Sequence, residues 1–346
     1  MPAEFYYYVI FFALAFGLTA LITPWVVKLG QRLDIVAVPG GRRVHRGRIT
    51  RIGGLALYPP FVIACLGTLF LPRQDPLETT RILGMLAGVT VVFVMGMLDD
   101  KYRLPPWAQS LALVIAVVIA LMTKVFIELY NDPFTNQLVK LDWILAIPIT
   151  AFWLIGMSST VNFLDGLDGL ATGVVGISAV VLFIHMLRLE QYSVAVLPLI
   201  LLGCCAGFLI YNFTPARIFL GGGAYQLGFT LGALAIISGA KVATVLLVVW
   251  LPVMDVVWLI YSRWRRHQPV NLGDRGHLHM RLQDLGWPTS RIVLMYYGVT
   301  AILGAAALLI SSRLLKLAVL GSLGIAILIA LAFLAHKTGD VTPTGD

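Results

Sequence analysis

The chain has 346 residues, of which 59% are apolar and only 12% charged, with a mean hydropathy of +0.89. A water-soluble domain carries about 25% charged residues, so a soluble globule and a disordered chain are both excluded. Cys65, Cys204 and Cys205 all lie in apolar runs, so they read as small hydrophobes and not as a zinc or disulfide framework.

A membrane helix needs roughly 20 apolar residues. Eleven such stretches follow in chain order: 5–28, 52–71, 82–98, 105–123, 142–157, 167–187, 194–212, 226–239, 242–261, 292–311 and 314–336. The eighth is short and glycine-rich, which leaves open that it is broken, re-entrant or tightly packed. The first is too long, and too poorly charged at its start, for a cleaved signal peptide. No soluble domain fits between the spans, and no internal repeat suggests an inverted-repeat transporter. The expected fold is one all-α integral membrane protein over residues 1–346. It is a polytopic bundle of ten or eleven transmembrane helices with a cytosol-facing cleft that opens sideways to lipid.

Charge orients the bundle. The odd-numbered connections, with the C-terminal tail, hold 17 of the 25 Lys and Arg residues, and the even side holds eight. By the positive-inside rule the odd connections are cytosolic, the N-terminus outside and the C-terminus inside. The formal net charge of +8 is then a topology signal and calls for no nucleic acid. The same basic loops suit membrane lipid headgroups or an anionic substrate.

The inner connections also carry the chemistry. The first reads PGGRRVHRGRITRIGG, with Arg42, Arg43, His45 and Arg51. The third span ends in GMLDDKYRLP, where Asp99 and Asp100 repel each other unless a cation or a proton is shared. A solvated helix end beside Lys101 and Arg103 is the plainer reading of that pair. The fifth span runs into VNFLDGLDGLATG, with Asn162, Asp165 and Asp168. If helical, they form a stripe of hard oxygen ligands that suits Mg²⁺, whereas helix capping needs only one of them. His277 and His279 share a side of an extended segment but not of a helix. With no cysteine near, a phosphate contact or an ordinary interfacial histidine fits them better than zinc. Asp255, inside an apolar span, is functional or else pairs with an arginine such as Arg263.

These motifs, with IFLGG and PVMDVVWLIYSR followed by GHLHMRLQDLG, resemble the polyprenyl-phosphate N-acetylhexosamine-1-phosphate transferase family over nearly the whole chain. The bacterial branch that uses UDP-N-acetylglucosamine or a related UDP-sugar looks closer than the muramoyl-pentapeptide branch. The resemblance implies a reaction. The phosphate of a polyprenyl (undecaprenyl) phosphate attacks the β-phosphorus of a UDP-sugar, UMP leaves, and a lipid-linked sugar diphosphate begins a surface glycan. It also implies the bacterial inner membrane, Mg²⁺ or Mn²⁺ as cofactor, and a homodimer by family precedent.

Carried over by motif, Asp99 and Asp100 orient or deprotonate the lipid phosphate, and Asn162 is a metal ligand. Asp165 and Asp168 are the nucleotide and active-site aspartates, and His277 and His279 contact phosphate. Arg42, Arg43, His45, Arg51, Arg281 and Asp255 are further candidates for holding substrate. The chain also departs from the family pattern. Gly222 stands at the family's second metal-ligating aspartate, Gln109 nearest a usual lysine, and Ser159 at a second asparagine. Met280 stands at the last histidine, and Ala37 at a common aspartate. Two readings follow: an active transferase, or a catalytically impaired relative that binds polyprenyl phosphate or UDP-sugar or scaffolds glycan enzymes. A transporter of lipid-linked sugars is a distant third, because the polar residues stop at one membrane face.

Overall fold

The computed structural model describes residues 5–37, 48–132, 135, 137–239, 242–265, 267 and 276–338. Helix α1 (Phe5–Arg32) is followed by the short antiparallel pair β1 (Val36–Ala37) and β2 (Ile49–Thr50). Then come α2 (Gly53–Gly67), α3 (Glu78–Tyr102), α4 (Pro106–Met122), the hairpin β3 (Leu129–Asn131) and β4 (Leu138–Lys140), and α5 (Trp143–Leu164). Helices α6 (Leu170–Arg188), α7 (Tyr192–Asn212), α8 (Gly223–Ile237), α9 (Val242–Val248) and α10 (Trp250–Arg265) follow. The chain closes with α11 (Leu278–Asp284), α12 (Thr289–Leu309) and α13 (Arg313–Thr338).

Among the described residues, eight helices are long and apolar enough to cross a bilayer alone: α1, α2 with its 3₁₀ extension to Phe70, α3, α5, α6, α7, α12 and α13. Helices α9 and α10 together make a ninth, and the shorter apolar α4 and α8 account for the other two expected spans. The chain is an all-α multi-pass membrane protein. The broken span is the ninth, not the eighth: α9 and α10 meet at 79°. Pro252 supplies the cause. Its ring cannot follow an unbroken helix without striking the carbonyl four residues back, at Val248, where α9 ends.

The glycine-rich eighth stretch is instead the buried centre. Every residue of α8 except Tyr225 is buried. Glycine lets its backbone approach its neighbours: a Cβ at Gly228 would lie 2.5 Å from the Met157 carbonyl of α5. The β3–β4 hairpin and the short, seven-residue helix α11 were not expected from hydropathy. Both lie in connections where no apolar run marks an element.

Candidate active site

The polar motifs collect at one end of the bundle, held by backbone pairing between distant segments. The Phe219 amide donates to the Thr50 carbonyl at 2.8 Å. The Gly53 and Gly54 amides donate to Phe219 and Leu220 carbonyls at 2.9 and 3.1 Å. Helix starts leave amides without intrahelical acceptors. Here α2 satisfies two of them with the IFLGG strip, and no side-chain cap is used. The described end of the arginine-rich segment, residues 48–54, is thereby joined to the IFLGG motif.

Glycines close the junction. The Cα atoms of Gly54 and Gly223 face each other so closely that a Cβ on Gly223 would stand 2.6 Å from Gly54 Cα. Gly96 of α3 and Gly222 are interlocked in the same way. Three helix segments thus meet backbone to backbone beside the aspartate pair.

That pair divides into two different environments. Asp100 is 5% exposed. Its Oδ2 accepts the Gly222 amide at 3.0 Å, and its Oδ1 lies 3.3 Å from Arg51 Nη2. Asp99 is half-buried, and its Oδ1 accepts the Leu104 amide at 2.9 Å. That bond closes the turn in which Arg103 takes a left-handed conformation, φ 52°. Asp99 Oδ2 has no part in it.

The Asn162–Asp168 stretch is not one helical stripe. Only Asn162 lies on α5; Asp165 is the residue after its end, and Asp168 sits in the turn before α6. A glycine with φ 78°, Gly169, starts α6, so neither aspartate caps it with a side chain. Asp168 Oδ2 instead accepts the Ala216 amide at 2.9 Å, tying this loop to the segment that leads into IFLGG. Burial, and then the negative charge of Asp100 and Asp168, push the Asp165 carboxyl well above its ordinary range, with Arg51 opposing. Without a bound cation the Asp165 carboxyl is therefore held toward its neutral, protonated form, and a cation beside it would favour the charged form.

The third group is the Asp255–histidine cluster. Asp255 pairs with His277 and not with Arg263: its Oδ2 lies 2.9 Å from His277 Nδ1 and its Oδ1 accepts the Leu278 amide at 2.8 Å. His277 stacks on His279, at 5.4 Å between ring centroids, and packs at a tilt against Phe163, at 5.6 Å. His279 is 1% exposed, and neither ring nitrogen has a hydrogen-bond partner among the described residues. Burial lowers its pKa to about 4, so the ring is neutral. A Cβ on Gly166 would fall 2.1 Å from His279 Nε2 and 2.7 Å from the Met280 methyl. The histidine segment is therefore packed directly beneath the aspartate loop, and His279 supports that loop from below.

Of the remaining candidates, Arg281 is buried, and its Nε donates to the Gly276 carbonyl at 2.9 Å, closing the turn before α11. Arg42, Arg43 and His45 lie outside the described residues. Ala37 is buried in β1, and Ser159 is half-buried on α5. Gln109 keeps a buried Nε2 without a partner among the described residues. Sequence reasoning missed Gln226, buried one turn into α8 with an unpartnered Oε1 close to where a Gly54 side chain would begin. Its signal was a polar amide inside an apolar span.

No three His, Cys, Asp or Glu side chains close around a metal position among the described residues. The donor set is still that of a cation keeping waters and completed by phosphate oxygens, the usual manner of Mg²⁺. Asn162, Asp165 and Asp168 supply an amide and carboxylate oxygens within one short stretch, and the buried Asp165 carboxyl is one whose charged form a cation would stabilise.

Residues 82–239 match the profile of glycosyl transferase family 4. A probable undecaprenyl-phosphate N-acetylglucosaminyl 1-phosphate transferase of Bacillus subtilis is 29% identical, over 84% of this chain and 82% of its own length. The decaprenyl-phosphate N-acetylglucosaminephosphotransferase of Mycolicibacterium smegmatis is 30% identical, over 81% of this chain and 78% of its own length. A phospho-N-acetylmuramoyl-pentapeptide-transferase of Desulforudis audaxviator is 29% identical, over 85% and 96%. The matched region runs from α3 through α8 and so contains both aspartate motifs and the Gly96–Gly222 contact of the glycine junction. The chain belongs to glycosyl transferase family 4, a family of membrane-embedded transferases.

Proposed function

We propose that the chain transfers N-acetylglucosamine-1-phosphate, or a closely related sugar-1-phosphate, from its UDP derivative to a polyprenyl phosphate. A phosphate oxygen of the lipid forms a bond to the β-phosphorus as the bond to the UMP oxygen breaks. The products are UMP and a polyprenyl diphosphate sugar. The observation that carries this reading is the polar cluster at one end of the bundle, where Arg51, two pairs of aspartates and His277 are gathered by backbone pairing and by the Asp255 carboxylate. A lipid phosphate reaches such a site from the bilayer and a nucleotide-sugar reaches it from water.

In this reading Asp99 orients the lipid phosphate or takes its proton with the oxygen its turn leaves over. Asp100, already paired, holds Arg51 where anionic phosphates arrive. Asn162, Asp165 and Asp168 would hold Mg²⁺, which when bound neutralises charge developing on the phosphates. His277 presents its outer edge to phosphate. The site faces the cytosol of a bacterial inner membrane, with the N-terminus outside. Cysteine labelling in sealed vesicles is expected to modify Thr135→Cys from outside and Gly276→Cys only from inside. The reverse pattern would overturn this orientation.

The test of function is UMP release by the purified protein from UDP-N-acetylglucosamine plus undecaprenyl phosphate. Turnover is expected near about 1 s⁻¹, the low end of ordinary enzymes. Chelation of divalent cations is expected to lower it at least roughly 100-fold, because phosphoryl transfer rests on charge neutralisation. Calorimetric affinity for the UDP-sugar should change far less, since arginines and not the metal carry much of the binding. No UMP with or without Mg²⁺, alongside intact nucleotide binding, would favour the impaired relative. Gly222, with a backbone amide where the family has a carboxylate, is the observation on that side.

A further inference from the structure

The geometry points to Asp255 as a positioning residue: from inside the membrane span α10 it fixes His277 in the tautomer that leaves Nε2 as the available nitrogen. The inference deepens the proposed transfer reaction and rests on it for the catalytic consequence, but not for the tautomer itself.

Asp255 is 4% exposed and both of its oxygens are engaged by the segment after the α10–α11 connection. An ionised carboxylate can only accept hydrogen bonds. The Leu278 amide takes one oxygen, so the other must receive the proton of His277 Nδ1, and in the neutral ring Nε2 is then bare. The amide bond matters as much as the imidazole bond. His277 is the residue just before α11, and that helix has no side-chain cap of its own. Asp255 supplies the missing cap from another helix, so main chain and ring are pinned by one group.

Neighbouring rings limit the imidazole further. Phe163 and His279 lie 5.6 and 5.4 Å away between ring centroids, at interplanar angles of 32° and 14°. Packing against them restricts the ring, and the Asp255 bond selects its orientation. His277 is 8% exposed, and with Nδ1 engaged by Asp255 the nitrogen left for water or substrate is Nε2. Phe163, which packs against the ring, directly follows Asn162, so His277 lies beside the proposed metal and nucleotide loop. A carboxylate that orients a histidine this way is a common outer-shell device, and the wrong tautomer can cost orders of magnitude in turnover.

The test uses full-length protein in nanodiscs with ¹⁵N-labelled histidine, the His277 signals being assigned by their loss in His277→Gln. Wild type is expected to show a protonated Nδ1 and a bare Nε2 at neutral pH. Asp255→Asn keeps an acceptor for the Leu278 amide but is expected to give mixed tautomers. Its kcat should fall roughly 100-fold or more with KM for the UDP-sugar within about threefold, as for loss of a general acid–base or phosphate-contacting group. Asp255→Glu should recover the wild-type tautomer and part of kcat. In a His277→Gln background, Asp255→Asn should add nothing further.

A wild-type spectrum with Nε2 protonated overturns the proposal even if the variants fail to fold. So does a wild-type tautomer retained in Asp255→Asn, or an additive loss in the double variant. If wild type makes no UMP while the tautomer and its response to Asp255→Asn are as expected, the transfer reading has failed and the positioning role stands.

Discussion

Gly222→Asp is expected to destabilise the protein and abolish turnover, although the family pattern makes it look like a repair. On sequence alone, a carboxylate at position 222 would stand opposite Asn162 and restore a second oxygen ligand for Mg²⁺. The packing forbids it. A Cβ on Gly222 would lie 2.3 Å from Gly96 Cα, 2.5 Å from its carbonyl carbon and 2.6 Å from its oxygen. All three are backbone atoms of α3, so no rotamer change relieves the contact. Helices α3 and α8 would have to separate at the point where the Gly222 amide reaches Asp100. Overpacking of this kind costs about 1–3 kcal/mol or more. A new carboxylate beside Asp100 adds like-charge repulsion in a poorly solvated place. Thermal unfolding in detergent should show a lower midpoint for Gly222→Ala as well as for Gly222→Asp, which separates the steric part from the charge. A Gly222→Asp protein that melts with wild type and turns over faster would mean that α3 and α8 yield at this junction and that the metal reading of position 222 is right.

The contrast between that variant and its sequence-based expectation shows where legibility ended. The spans were readable because bilayer thickness imposes a length and an apolar content on each, and every helix except α11 falls on one of the eleven stretches, with α9 and α10 sharing the ninth. The gathering of motifs at one end was readable from charge, since the positive-inside bias sorts loops without any knowledge of packing. Contacts between loops were not. Nothing in hydropathy says that Thr50 pairs with Phe219, or that His279 lies against Gly166. Asp255 is legible as out of place in a span, but the structural partner its own helix offers, Arg263, stands eight residues along. The true partner, His277, lies 22 residues on, brought back by a connection whose path no local propensity dictates. The break between α9 and α10 did have a local sign in Pro252. A proline within an apolar run was simply a weaker signal than the glycines of the eighth stretch, which mark close packing instead.

Asp99→Asn and Asp100→Asn are expected to fail in different ways, although the resemblance treats the two residues as one motif. In Asp99→Asn the amide oxygen can still accept the Leu104 amide, so the turn after α3 should stand. Stability should then change by less than about 0.5 kcal/mol, as for substitutions that keep their contacts. The variant loses only the charge and the basic oxygen, and turnover should drop roughly 100-fold or more, the contribution of a positioned proton acceptor. Asp100→Asn can likewise keep the Gly222 amide, but the replacing NH₂ then faces Arg51 Nη2 from the place of an oxygen now 3.3 Å away. Donor meets donor, and a guanidinium loses its counter-charge where the carboxylate side chain is 1% exposed. Breaking one partner of a buried pair costs about 3–5 kcal/mol, and the low end applies here because Arg51 keeps some contact with solvent. Asp100→Asn should therefore lower both the melting midpoint and turnover, and adding Arg51→Gln should recover stability, since Gln can accept from the new amide, without recovering activity. If Asp100→Asn instead melts with wild type while Asp99→Asn unfolds early, the two aspartates have exchanged parts. Asp100 would then be the group that meets the substrate.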